Sequence, residues 1–126
     1  MKAPLFLFLF LCSILSVEAS TQGFLPGTED VPLMPELIVV PETDMIFDHP
    51  EGRVVTVSAT GSSTLEQLQQ FYDVTLSQLG WQKESKKKSK FKLMYKREGE
   101  VLQLESEPGT AEGTLQVTFQ LKPLSE

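Results

Sequence analysis

The only cysteine of this 126-residue chain, Cys12, lies inside its apolar opening stretch, so whatever folds after that stretch has no thiol to work with. Lys2 supplies a positive start, Ala3 to Val17 is an almost unbroken run of Leu, Phe and Ile, and Val17-Glu18-Ala19 sets small residues where a signal peptidase cuts. The run falls short of the roughly 20 apolar residues that span a bilayer. Residues 1–19 therefore read as an export signal, cleaved between Ala19 and Ser20, and the expected address is periplasmic or secreted. About 107 residues remain (126 less 19), enough for one core and too few for two. A disulfide, a thiolate metal site and a cysteine nucleophile are all excluded from that remainder, which must hold together by packing alone.

Charge is distributed unevenly. The net charge is −6, and Lys2 and Glu18 cancel within the leader. Lys83, Lys86, Lys87, Lys88, Lys90, Lys92, Lys96 and Arg97 follow one another with only Glu84 among them, and elsewhere the mature chain has just Arg53 and Lys122 as cations. The pattern is an acidic body carrying one basic patch.

Hydrophobic periodicity assigns the elements. Pro26, Pro32, Pro35 and Pro41 each remove a backbone donor and push the preceding residue away from helical angles, so residues 20–43 read as an extended arm, with a short strand around Ile38 to Val40. Met45 to Phe47 and the β-branched run Arg53 to Ala59 form a hairpin about His49-Pro50-Glu51-Gly52, with Val55, Val57 and Ala59 on one face. Ser63, three residues ahead of Glu66, has the spacing of a capping box. Leu65, Leu68, Phe71, Tyr72, Leu76 and Leu79 then recur with helical spacing up to a stop at Gly80, which predicts a helix over about 64–79.

From Trp81 onward the period is two. Phe91, Leu93 and Tyr95 share one face and Lys90, Lys92, Met94 and Lys96 the other. Arg97 to Glu100 reads as a hairpin turn, Leu102 and Leu104 point inward, and Leu115, Val117, Phe119 and Leu121 complete the pattern. The predicted fold class is α+β in the order β-β-α-β-β-β-β, a single helix on one face of a mostly antiparallel sheet. It comprises the arm at 20–43, one domain at 44–122 and a tail at 123–126. The last strand, Leu115 to Leu121, could be an unpaired edge open to a second copy, and the sequence leaves both that and the oligomeric state undecided.

Taken as a set, Phe47-Asp48-His49-Pro50-Glu51-Gly52-Arg53-Val54-Val55, then Phe71-Tyr72, Leu76 and Leu79-Gly80-Trp81, then Tyr95-Lys96-Arg97-Glu98-Gly99-Glu100-Val101-Leu102 resembles a group of small exported proteins of alphaproteobacteria. The likeness covers roughly Pro32 to Leu121, and its most specific part is the Phe-Tyr helix ending in Leu-Gly-Trp. It implies a bacterial source and a periplasmic address, and no functional residue carries over with it. The lysine-rich turn is longer and more basic than the group's usual pattern.

Candidate chemistry is sparse. Asp44, Asp48, His49 and Glu51 form the only cluster of acid/base or ligand types, yet Asp-His-Pro-Glu-Gly is what a tight turn requires, and neither a zinc set nor a calcium loop has this spacing. No phosphate loop, G-x-S-x-G elbow or paired-cysteine motif is present in the sequence. Gly61-Ser62-Ser63 ahead of the helix could hold an anion on free amides, but capping is the better use of those residues. Phe71, Tyr72, Trp81, Phe91, Tyr95 and Phe119 have core spacing, with Tyr72 and Trp81 the two that could instead form a stacking platform.

The basic stretch carries what functional signal remains. At a hairpin tip, lysines keep a sheet edge from pairing. Together, Lys86, Lys87, Lys88, Lys90, Lys92 and Lys96 would also make a compact cationic surface toward an anionic envelope component or partner protein. The expectation is a non-enzymatic interaction module with no cofactor, no metal and no nucleic-acid partner. The alternative is a small-ligand carrier or minor enzyme, with a pocket between helix and sheet near Tyr72, Trp81 and Tyr95.

Overall fold

A computed structural model describes residues 23–84 and 91–124. Strands β1 (Leu37–Val39), β2 (Met45–His49) and β3 (Gly52–Ser62) precede helix α1 (Leu65–Gln78), and β4 (Gln82–Lys83), β5 (Lys92–Arg97), β6 (Glu100–Pro108) and β7 (Thr114–Pro123) follow it. The class is α+β, one helix on an antiparallel sheet of seven strands. The arm contributes one strand more than the predicted order counted.

Strands run β1-β3-β7-β6-β5-β4 across the sheet, with β2 also on β3. The helix carries the chain from β3 over three strand positions to the far edge, and the meander β4 to β7 then returns to β3. The last strand is therefore central, paired with β3 on one side and β6 on the other, so Leu115 to Leu121 is not a free edge. The edges are β1 with β2 at one side and the two-residue β4 at the other.

One face is covered. Leu68, Tyr72 and Leu76 of α1 pack on Val57, Ala59, Val117, Phe119, Leu121, Leu102, Leu104 and Tyr95, and Leu25, Val31 and Met34 of the arm fill the space beside the helix. Burying a large apolar side chain is worth about 1.5–3 kcal/mol each, which is the stabilisation a domain without disulfides depends on. The opposite face presents Thr56, Ser58, Thr60, Gln116, Thr118, Gln120 and Gln103, all partly exposed. Such one-sided burial is what produces the period-two signal in the sequence.

Tyr72 is the pin that makes the arm part of the core. Its hydroxyl donates to Pro32 O at 3.0 Å and accepts from Met34 N at 3.1 Å, and its ring meets Phe119 edge-on at 5.6 Å. Burial pushes its ionisation upward, partly opposed by the hydrogen bond from Met34.

Helix α1 is capped one residue later than the sequence spacing suggested. Thr64 Oγ1 accepts from Gln67 N, and Gln67 Oε1 accepts from Thr64 N, both at 3.1 Å. Ser63 and Glu66 have the same spacing, but Thr64 is the residue with extended angles ahead of the first turn. At the other end Trp81 N bonds to Leu76 O and Gly80 N to Ser77 O, with Gly80 at φ +91°, so the helix closes in a Schellman motif. That motif swings Trp81 back into the core.

The two edges are shaped differently. Between Val39, opposite Ala59, and Met45, opposite Thr56, five residues (40 to 44) face two (57 and 58). The surplus forms a bulge with Glu42 at φ +65°. Thr43 closes it, its hydroxyl donating to Val40 O at 2.6 Å and accepting from Ser58 N at 3.2 Å. Above the bulge β1 runs so close to β3 that a Cβ on Gly61 would lie 1.9 Å from Glu36 O. Below it β2 presents Met45 and Phe47 to the open face, and Ile46 lies over the arm at Gly27.

Candidate functional site

The basic patch is the first candidate, and the structure divides it. Lys86, Lys87, Lys88 and Lys90 lie outside the described residues, as do Ala19 and Ser20. Of the described cations in this stretch, three are engaged by carboxylates. Lys83 Nζ is 3.1 Å from Asp73 Oδ2, Lys96 Nζ is 2.8 Å from Glu84 Oε1, and Arg97 pairs with Asp30. Lys92 is half-buried on β5 opposite Glu105 and makes no ion pair among the described residues. Lys96 is thus bound to its own hairpin, and Lys92 is the described lysine of this stretch without an ion pair to another described residue.

Arg97 belongs to a second cluster that brings distant parts of the chain together. Asp30 of the arm accepts from Arg53 of β3 at 3.0 Å and also from Arg97 of β5, while Arg53 Nε reaches Glu100 Oε2 at 3.2 Å. The Arg97 guanidinium lies over the Trp81 ring, 4.6 Å from its centroid, and donates to Leu79 O at 3.1 Å. Burial pushes the Asp30 carboxyl up, but the hydrogen bonds and charges of Arg53 and then Arg97 outweigh it and hold the group below its usual value. Burial of Arg53 is likewise outweighed by Glu100 and Asp30, which raise its pKa.

Open clefts of about 650 Å³ and 510 Å³ flank the cluster, one at Gly27 to Asp30 and Arg53, the other at Leu79, Gly80 and Lys96 to Glu100. Two guanidiniums facing two carboxylates leave no surplus charge to hold an ion, so the cluster's own chemistry is that of a clamp between the arm and the sheet. Nothing in the local sequence marked Asp30 as its centre, because its partners are 23 and 67 residues away.

The predicted pocket residues separate. Tyr72 is fully buried and committed to the arm, and Trp81 is 2% exposed beneath Arg97, so neither forms a stacking platform. Leu-Gly-Trp turns the indole inward rather than out. Trp81 and Tyr95 line a cleft of about 440 Å³ at the helix rim, with Asp73, Ser77, Gln82 and Lys83. Tyr95 donates to Asp73 at 2.6 Å, and burial followed by that carboxylate's hydrogen bond and charge raises its pKa. Phe91, expected in the core, is half exposed because β5 begins only at Lys92.

His49 closes β2 opposite Gly52, and among the described residues no three His, Cys, Asp or Glu side chains converge on a metal position. Among the described residues no helix is long and apolar enough to cross a membrane. Comparison with known protein families, curated proteins and solved structures finds no match.

Proposed function

We propose that this chain is an exported, non-enzymatic interaction module that docks through its lysine-rich β4–β5 connection onto an anionic component of the cell envelope. One observation carries the reading: among the described residues Lys83, Lys96 and Arg97 each form an ion pair with a carboxylate, and Lys92 forms none. The sequence sets Lys86, Lys87, Lys88 and Lys90 in the same connection, beyond the short edge strand β4. Export supports the reading as well, because the apolar leader directs the chain to the compartment where such a surface exists.

Near an anionic membrane surface each lysine is worth about 1 kcal/mol. Changing Lys86, Lys87 and Lys88 together to Glu should therefore weaken binding to phosphatidylglycerol vesicles by more than about 100-fold, and added salt should do the same to the unaltered protein. The far-ultraviolet spectrum should not change. Undiminished vesicle binding by the folded triple variant would refute the proposal.

A further inference from the structure

The opposite edge of the sheet is acidic and bears exposed apolar side chains. From Glu36 to Glu51 the chain has Glu36, Glu42, Asp44, Asp48 and Glu51, all exposed, and no Lys or Arg. Within this acidic stretch Ile38 is 73% exposed, Met45 53% and Phe47 59%, and all three belong to the open side of β1 and β2. Both strands pair only with β3, so their outer backbone edge has no neighbour among the described residues. An exposed edge bearing apolar side chains is what native sheets otherwise avoid.

Strand parity specifies what fits. Met45 and Phe47 stand on one side of β2, and Ile46 and Asp48 on the other, with Asp44 just ahead of the strand. A strand added to this edge would place alternate residues beside Met45 and Phe47, and those of the other set beside Asp44, Ile46 and Asp48, so that carboxylates meet the outer two. We propose that β2 binds, by strand addition, an extended segment of a partner protein in which apolar residues alternate with Lys or Arg. A second copy of β2 is the wrong occupant: antiparallel pairing about Ile46 would set Asp44 and Asp48 of each copy against Asp48 and Asp44 of the other, like charge on like. This surface is independent of the lysine connection, and the two are tested by different probes.

The test uses three short synthetic peptides: one alternating lysine and valine, one alternating glutamate and valine, and the lysine peptide with alternate backbone amides methylated. The lysine peptide should bind, shift the amide resonances of Met45 to Asp48, and weaken with salt. Each of the other two should bind at least about tenfold more weakly. The double variant Asp44→Lys, Asp48→Lys, altered only at exposed positions, should reverse the preference and favour the glutamate peptide. Equal binding of the three peptides, resonance shifts confined to other strands, or no reversal in a folded double variant would each overturn the proposal. So would sedimentation as a β2-paired dimer in the absence of peptide.

Discussion

The two edges of this sheet handle the same hazard in opposite ways. At the β4 side the edge strand has only two residues, and the described lysines beside it are ion-paired, Lys83 to Asp73 on the helix and Lys96 to Glu84 on its own hairpin. At the β1–β2 side the edge is long and interrupted by a bulge, and it exposes apolar side chains among carboxylates. A two-residue strand offers little backbone to pair with, and the lysines beside it, Lys83 and Lys96, are held in ion pairs. The second edge has no further strand beside it among the described residues, and in the proposal above its acidity selects what can pair with it. On the two proposals, a single sheet would separate long-range attraction at one side from short-range pairing at the other.

The largest effect on this contrast should come from Tyr72, because the arm it pins continues directly into β1. Tyr72→Phe keeps the ring but strands Met34 N–H and Pro32 C=O in the core. With about 1–3 kcal/mol for each buried group left unpaired, the loss should be about 3 kcal/mol in urea unfolding. Amide exchange should accelerate more at Ile38 and Val39 than at Met94 and Tyr95. Uniform acceleration across both edges would mean that the arm supports the whole fold rather than the acidic edge in particular.

How much of this was readable beforehand follows from the range of the interactions. The helix stripe from Leu65 to Leu76, the stop at Gly80 and the inward alternation of Val117, Phe119 and Leu121 are local patterns, and they appear in the structure where the residue spacing places them, whereas Leu79, at the helix end, is exposed. The position of β7 is not local. Its pairing with β3 joins residues about 60 positions apart, and nothing within Leu115 to Leu121 distinguishes a central strand of a one-sided sheet from an edge. Ser63 and Thr64 satisfy the same capping pattern, and only the entry angle of the chain chooses between them. The stretch from Glu36 to Glu51 without a lysine or arginine was visible in the sequence. Its meaning depended on β2 being an edge.

The clamp at Asp30 links the two sides, and its removal should have a middling effect. Asp30→Asn leaves Arg53 with Glu100 and leaves Arg97 between Trp81 and Leu79 O. Because these side chains keep some solvent, a loss of about 1–2 kcal/mol near neutral pH is expected, below that of a fully buried pair. The sign of the pH dependence follows from a carboxyl held below its ordinary value of 3.8. Its contribution is complete above that value and is lost as the pH falls through the folded-state pKa. Urea unfolding across an acid series should therefore show the gap between wild type and variant narrowing below about pH 4. A gap that stays constant until the protein unfolds would trace the effect to packing rather than charge.

The smallest effect belongs to the bulge, and it bears directly on why the acidic edge is interrupted. Thr43 lends its hydroxyl to both sides of the break, to Val40 O and from Ser58 N, where a regular ladder would use a backbone group. Thr43→Val keeps the shape and removes that bridge. Val40 and Ser58 are only half-buried, so water can take over part of the bonding and the cost should be about 1 kcal/mol. Thr43→Ser keeps the hydroxyl and should recover most of it. Exchange of the Ser58 amide should rise in the valine variant alone, while Lys92 to Arg97 on the other side stay unchanged. If serine and valine variants behave alike, the hydroxyl does not hold the bulge, and the offset between β1 and β2 would have to come from Pro41 and the positive φ of Glu42.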